Sequence, residues 1–331
     1  MSTLKVLLKE YEQKRIDSYN LLAKRKARLY KSVPRLQKID DELTSISIAT
    51  SKLLIGKNNK KLLSDLKSKI SALQKEKESL LKKAGKPKDY LSQDYECNKC
   101  NDTGYVLINN SSFMCACLKQ KLLDVEYNKS NISNLDKQTF ENFNLKLYSN
   151  KVDEQKYGSN ISPRENMEDI QKAALDFIKN FDNPDEKNLL FSGGTGLGKT
   201  FLSNCIVNEL LKKGKTALYQ TAPVMLDTLI SDMFNKDNVG EGISKSLLTV
   251  DLLVIDDLGT ETMNSMKFTE IYKIINTRLL NQNGKITKTI ISTNLSLQDL
   301  FKTYDERLVS RFVGYYDSYH FFGDDIRFMK K

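Results

Sequence analysis

The sequence predicts an α/β fold, a parallel sheet held between helices, preceded by a small cysteine module and an N-terminal helical arm. Three observations carry this reading. From about Pro163 onward helical and strand signals alternate, the signature of layered α/β architecture. The strand signals are short continuous apolar runs, as expected of parallel strands covered on both faces. Upstream, four of the five cysteines fall within 21 positions, apart from the alternating region. With 331 residues and 40% apolar content, the chain is long enough for a sizeable core plus a smaller module, and a single small domain is excluded.

Residues 1–90 read as a basic helical arm. Leu62, Leu66, Ile70, Leu73 and Leu80 recur at helical spacings, and Pro34 and Gly56 divide the pattern into segments. The apolar stripe is narrow, so the arm should pair with itself in a hairpin or lie in a groove of another protein. Its 23 Lys/Arg against 10 Asp/Glu give +13, more than the +10 of the whole chain. That excess suits a polyanion or an acidic protein surface, or else a solvated helical face.

Residues 91–125 form the cysteine module, 126–163 a linker and 164–331 the α/β domain. Within the last, helix 165–181, strand 188–192, a glycine loop, helix 199–213, strand 215–220, helix 223–234, strand 251–256, helix 264–282, strand 288–293 and helix 297–301 follow in order. No run approaches the roughly 18 apolar residues of a membrane helix, and the charged start lacks a signal-peptide pattern, so a cytoplasmic protein is expected.

Cys97-x2-Cys100 and Cys115-x-Cys117 offer four thiolates, enough for a closed tetrahedral Zn²⁺ site with no open position for catalysis. The expected role is structural, presenting a surface to single-stranded DNA or a protein partner. Cys205 reads as a buried small hydrophobe. His320 is the only histidine, and a structural role suits it best.

Gly193-Gly194-Thr195-Gly196-Leu197-Gly198-Lys199-Thr200 matches G-x-x-x-x-G-K-[ST] between a strand and a helix, with Phe201 next in that helix. Glycines let successive N–H groups point at phosphates, and the helix adds its positive end. Lys199 would meet the β/γ-phosphates of ATP, and Thr200 would hold Mg²⁺. Asp256, ending the apolar run Leu252–Ile255, supplies the metal-holding carboxylate; Asp257 is a general base or a capping carboxylate. The strand–helix unit between loop and aspartate suits an ATPase with an inserted central strand. Asn294 would orient the lytic water or simply form a turn. Arg307 and Arg311 share a helix face, one serving a neighbouring subunit's ATP or both pairing with Asp305 and Glu306.

Taken in order, TFENFNL, GGTGLGKT, LLVIDDLGTE, IISTNLS and DERLVSRF resemble the AAA+ helicase-loader family of DnaC and DnaI across the C-terminal half. That resemblance implies an AAA+ P-loop NTPase in which Lys199 and Thr200 belong to Walker A, Asp256 and Asp257 to Walker B, Asn294 to sensor 1, Arg311 to an arginine finger with Arg307 beside it, and Arg327 to sensor 2. It also implies ATP hydrolysis, a DnaB-type replicative helicase hexamer held through the arm, single-stranded DNA, and self-association of ATP-bound subunits. An IstB-type transposition helper and a nucleotide-switched DNA-binding scaffold with little hydrolysis are the alternatives, the second kept open by Asp257 where Glu is usual.

Overall fold

The computed structural model describes residues 3–55, 60–125, 137–234, 240–262, 264–280 and 285–328, in two compact units, 1–115 and 116–331. Gly56 lies outside the described residues, as does the side chain of Leu62.

In the first unit the arm consists of α1 (Thr3–Ser32), α2 (Pro34–Ile55) and α3 (Lys60–Lys83). Val33 breaks the helix because the residue before a proline is pushed out of the α region, and α2 restarts with Pro34 at its first position. Of the two expectations for the arm, self-pairing is the one the structure shows. Leu66, Ile70, Leu73 and Leu80 of α3 pack against Ile39, Leu43 and Ile46 of α2. Arg35 closes the seam with a two-pronged bond to Glu76, at 2.7 and 2.9 Å. Two short strands follow, β1 (Tyr105–Ile108) and β2 (Ser111–Met114), paired antiparallel.

The second unit holds α4 (Ala116–Leu123), α5 (Glu154–Tyr157), α6 (Pro163–Lys179), β3 (Asn188–Gly193), α7 (Lys199–Lys212), β4 (Ala217–Thr221), α8 (Ala222–Phe234) and α9 (Gly240–Thr249). It continues with β5 (Leu252–Leu258), α10 (Ser265–Leu279), β6 (Lys288–Thr293), α11 (Leu297–Thr303), α12 (Glu306–Tyr315) and β7 (Tyr316–Phe321). The five strands β3–β7 form one parallel sheet in the order β4-β5-β6-β3-β7. In space β6 separates the glycine-loop strand β3 from the aspartate strand β5, whereas the strand of the unit that intervenes in the sequence, β4, lies at the sheet edge beyond β5.

Strand alternation splits the core into two layers. Leu189, Phe191, Tyr219, Leu252, Val254 and Ile290 face α6 and α7, while Leu190, Leu218, Leu253, Ile255 and Ile291 face α8, α9, α10 and α12. Strands β3 to β6 therefore bury both faces, which is why they read as unbroken apolar runs. Helix α6 begins at a capping box, Ser162 with Glu165, with Pro163 at its first turn.

Three parts of the unit depart from the sequence reading. Strand β7 (YDSYHF) was not anticipated: it is an edge strand with alternating exposure, so polar side chains break its apolar run. Helix α9 is likewise additional. The stretch read as linker contributes to the core: Phe143 and Tyr148 are buried beside Leu197, and residues 126–136 of it lie outside the described set.

One buried cation fastens α9 to the sheet. The guanidinium of Arg278, 3% exposed, donates to the carbonyls of Leu247 and Val250 at 2.7 and 3.1 Å, to Lys288 O at 2.7 Å and to Thr289 Oγ1 at 3.0 Å. The C-terminal carbonyls that a helix leaves unpaired are thereby satisfied. Burial pushes Arg278 down to about 10.

Candidate nucleotide site

The glycine loop leaves β3 at its carboxyl end and turns into α7. Gly196 has φ 72°, and a Cβ there would collide with the Asp325 carboxylate. Gly198 caps α7 at φ 92°, where a Cβ would strike the Tyr148 hydroxyl. Both positions combine a left-handed backbone with close approach, which only glycine tolerates. The Tyr148 hydroxyl donates to Leu197 O at 3.1 Å, so the stretch just after TFENFNL, which ends three residues earlier, helps brace the loop.

Lys199 is 6% exposed, and its ammonium donates to Gly193 O at 2.6 Å, Gly194 O at 2.7 Å and Asn294 Oδ1 at 2.8 Å. Burial lowers its pKa, opposed by the charges of Asp256 and Asp257. Asp256, at the end of the apolar part of β5, is 3% exposed and accepts from three hydroxyls: Thr200 at 2.9 Å, Tyr219 on β4 and Ser292 on β6. Thr200 and Asp256 thus stand together as a hydroxyl and carboxylate pair suited to Mg²⁺.

Asp257 sits where β5 slips register against β6, with φ 55°. A non-glycine residue in that region is a strained exception, and here it turns the side chain toward the cavity. Burial, then the neighbouring Asp256 charge, raises its pKa.

A cavity of about 400 Å³ is lined by Thr195 through Phe201, Asp257, Asn294 and Arg327, together with Gln138 and Ile326, which the sequence did not single out. Gly193 and Gly194 contribute through the carbonyls that hold Lys199, and Asp256 stands behind the lining. Arg327 is tied to Asp325, with Nε 2.9 Å from Oδ1. Tyr219 and Ser292 went unnoticed in the sequence because strand pairing alone brings them to Asp256, Tyr219 from the middle of β4, opposite Val254.

Arg307 and Arg311 do share one face of α12, but that face lies on α10 and not on the cavity of their own chain. Arg311 stacks on Tyr272, 4.5 Å from the ring centroid, and donates to Asn276 Oδ1 at 2.8 Å. Arg307 pairs with Asp305 at 2.8 Å and lies over Phe268 and Tyr272. His320 faces Ser192, with Nδ1 3.2 Å from Oγ, consistent with a structural role.

Residues 120–312 match the family described as IstB-like ATP binding protein. The chain belongs to that family. The IstB-like chain is also similar to the replicative helicase loader DnaC of Escherichia coli K12, 30% identical over 138 residues that make up 42% of this chain and 54% of that protein. For DnaC of Buchnera aphidicola subsp. Baizongia pistaciae the figures are 29% over 140 residues, 42% and 55%. The chain spans about half the length of the curated relatives it matches. Among solved structures it resembles a DnaC helicase loader (26% identity, 55% of this chain and 97% of that one, TM-score 0.43) and AMPPCP-bound DnaA from Aquifex aeolicus (24%, 58% and 52%, TM-score 0.45). No helix among the described residues is long and apolar enough to cross a membrane.

The four module cysteines also converge. Their sulfurs all lie within 4.8 Å of one another, with Cys97 and Cys115 3.8 Å apart. Four sulfurs about 2.3 Å from a central zinc, tetrahedrally arranged, stand about 3.8 Å from each other, so the donor set fits Zn²⁺. Asp102, left-handed at φ 53°, aims its carboxylate at the amides of Glu96 and Cys97, both at 2.9 Å, and so shapes the turn bearing the first cysteine pair. Cys205 is buried in the core as expected, and burial pushes its thiol up to about 12.

Proposed function

We propose that this chain is an ATP-hydrolysing loader that places a DnaB-type replicative helicase on single-stranded DNA, acting in the cytoplasm. The observation that carries the proposal is the convergence of Lys199, Thr200, Asp257 and Asn294 on one cavity, with Asp256 hydrogen-bonded to Thr200 behind it. In this reading the ammonium of Lys199 leaves the loop carbonyls for the β/γ-phosphates, and Asn294, released from Lys199, orients a water toward the γ-phosphate. Asp257 accepts that water's proton, a task its raised pKa suits. Thr200 and Asp256 would hold Mg²⁺, which supplies neutralising charge to the phosphates when bound. Arg327 swings from Asp325 to the γ-phosphate, and Arg311, presented on the Tyr272 ring, reaches the nucleotide of an adjoining subunit.

The helicase contact in this reading falls to the arm (1–90), whose +13 charge and exposed Ile16, Tyr19 and Leu21 suit an acidic, partly apolar protein surface. The zinc-bound module then adds a surface for DNA or helicase. The family match keeps an IstB-type transposition helper as the second reading.

Two assays separate the readings. Turnover of ATP, stimulated by single-stranded DNA, should drop at least a hundredfold in Lys199→Ala, and turnover that is absent throughout would leave a nucleotide-switched scaffold. The intact chain should co-purify with a DnaB-type hexamer and the form lacking residues 1–90 should not. Indifference of both forms to the hexamer would favour the transposition helper.

A further inference from the structure

One residue on the cavity wall has no part in gripping phosphate or metal. Gln138 lines the cavity beside Gly198, Thr200 and Phe201, yet its amide carries no charge. It is fastened twice to α7. Asn204 donates from Nδ2 to Gln138 Oε1, and Asn208 donates from Nδ2 to the Gln138 carbonyl at 3.3 Å. Positions 204 and 208 lie one turn apart on the same face of the helix that opens with Lys199 and Thr200. Gln138 is therefore held at a fixed offset from the phosphate loop.

Asn204 is 3% exposed, and its own Oδ1 is buried without a hydrogen-bond partner. A buried amide half satisfied in this way is costly and rare. After the bond from Asn204, Gln138 retains two N–H donors and one lone pair on Oε1. A donor beside an acceptor is the pattern with which Asn and Gln grip the amino and ring-nitrogen edge of adenine. The matching edge of guanine presents two acceptors and leaves the amide oxygen facing a carbonyl.

We propose that Gln138 reads the base of the bound nucleotide and selects adenine over guanine. The inference rests on the nucleotide-binding reading above. Calorimetric titration of the full chain with Mg-ATP, Mg-GTP and inorganic tripolyphosphate tests it, using wild type, Gln138→Ala and Gln138→Glu, each checked by thermal melting. Wild type should prefer ATP to GTP by about tenfold or more. Both variants should lose about tenfold in ATP affinity while keeping their GTP and tripolyphosphate affinities, so the preference collapses. An unchanged ATP/GTP ratio in the variants overturns the assignment, as does an equal loss for tripolyphosphate, which would make Gln138 a support of the loop. Wild type that binds neither ATP nor tripolyphosphate overturns the nucleotide reading itself, a result visible before any variant is made.

Discussion

The phosphate loop and the cysteine hairpin both prepare to hold a charged guest, and they do so by opposite means. Around the loop the chain satisfies its own polar groups: Lys199 has three oxygen acceptors and Asp256 has three hydroxyl donors, drawn from β3, β4, β6, α7 and the turns after β3 and β6. Such a site folds first and binds afterwards, and its guest must compete with internal bonds. The hairpin has strands of four residues, exposes Leu107, Ile108 and Phe113, and gathers four sulfurs whose ionised forms repel. A two-stranded hairpin is marginal alone, so a metal held by the four sulfurs would substitute for a core, and its binding would be folding.

The largest effect should come from the hairpin. Stripping metal from the full chain should release one zinc per molecule and abolish amide protection across 97–117, because structural zinc contributes on the order of 10 kcal/mol. The melting of the α/β domain should stay put. Hydrogen exchange that protects the metal-free hairpin would erase the contrast.

On the other side, Asp257→Asn should slow turnover by about 10³, some 4 kcal/mol in barrier, while leaving the fold intact. The base must be ionised to act, and burial and Asp256 raise its pKa. Turnover should therefore fall as pH drops through that raised value, giving an acid limb above the range of an ordinary aspartate. A limb at or below about 3.9 would remove Asp257 from the role.

Arg278→Met sharpens the claim that the sheet unit is self-sufficient. It leaves the carbonyls of Leu247, Val250 and Lys288 unpaired and should cost about 3 kcal/mol in denaturant unfolding, with the cysteine module unaffected. Smallest is Tyr219→Phe, which removes one hydroxyl from Asp256 and should raise the Mg²⁺ requirement about tenfold without shifting the melting temperature by more than a few degrees.

The same contrast explains what was legible in the sequence. Strands β3 to β6 announce themselves because both faces are buried, and the loop, Asp256 and Asn294 follow because each stands at a strand end. Strand β7 hides because an edge strand interleaves Asp317, Ser318 and His320 with its apolar positions. Gln138, Tyr219 and Ser292 reach the site through tertiary packing that no local pattern encodes. The cysteine spacing shows the ligands, whereas the bonds that the Asp102 carboxylate accepts from the amides of Glu96 and Cys97 appear only in the fold. Arg307 and Arg311 are on the anticipated helix face, but the aromatic shelf of Phe268 and Tyr272 that carries them comes from α10.

The central claim is that Lys199 and the loop amides grip a triphosphate beside Asp256. Calorimetric titration of Mg-ATP into the intact folded chain tests it most directly. Saturable heat at one site per chain is expected, lost in Lys199→Ala protein that melts like wild type. Flat titrations for wild type, or equal affinity in the variant, would contradict it.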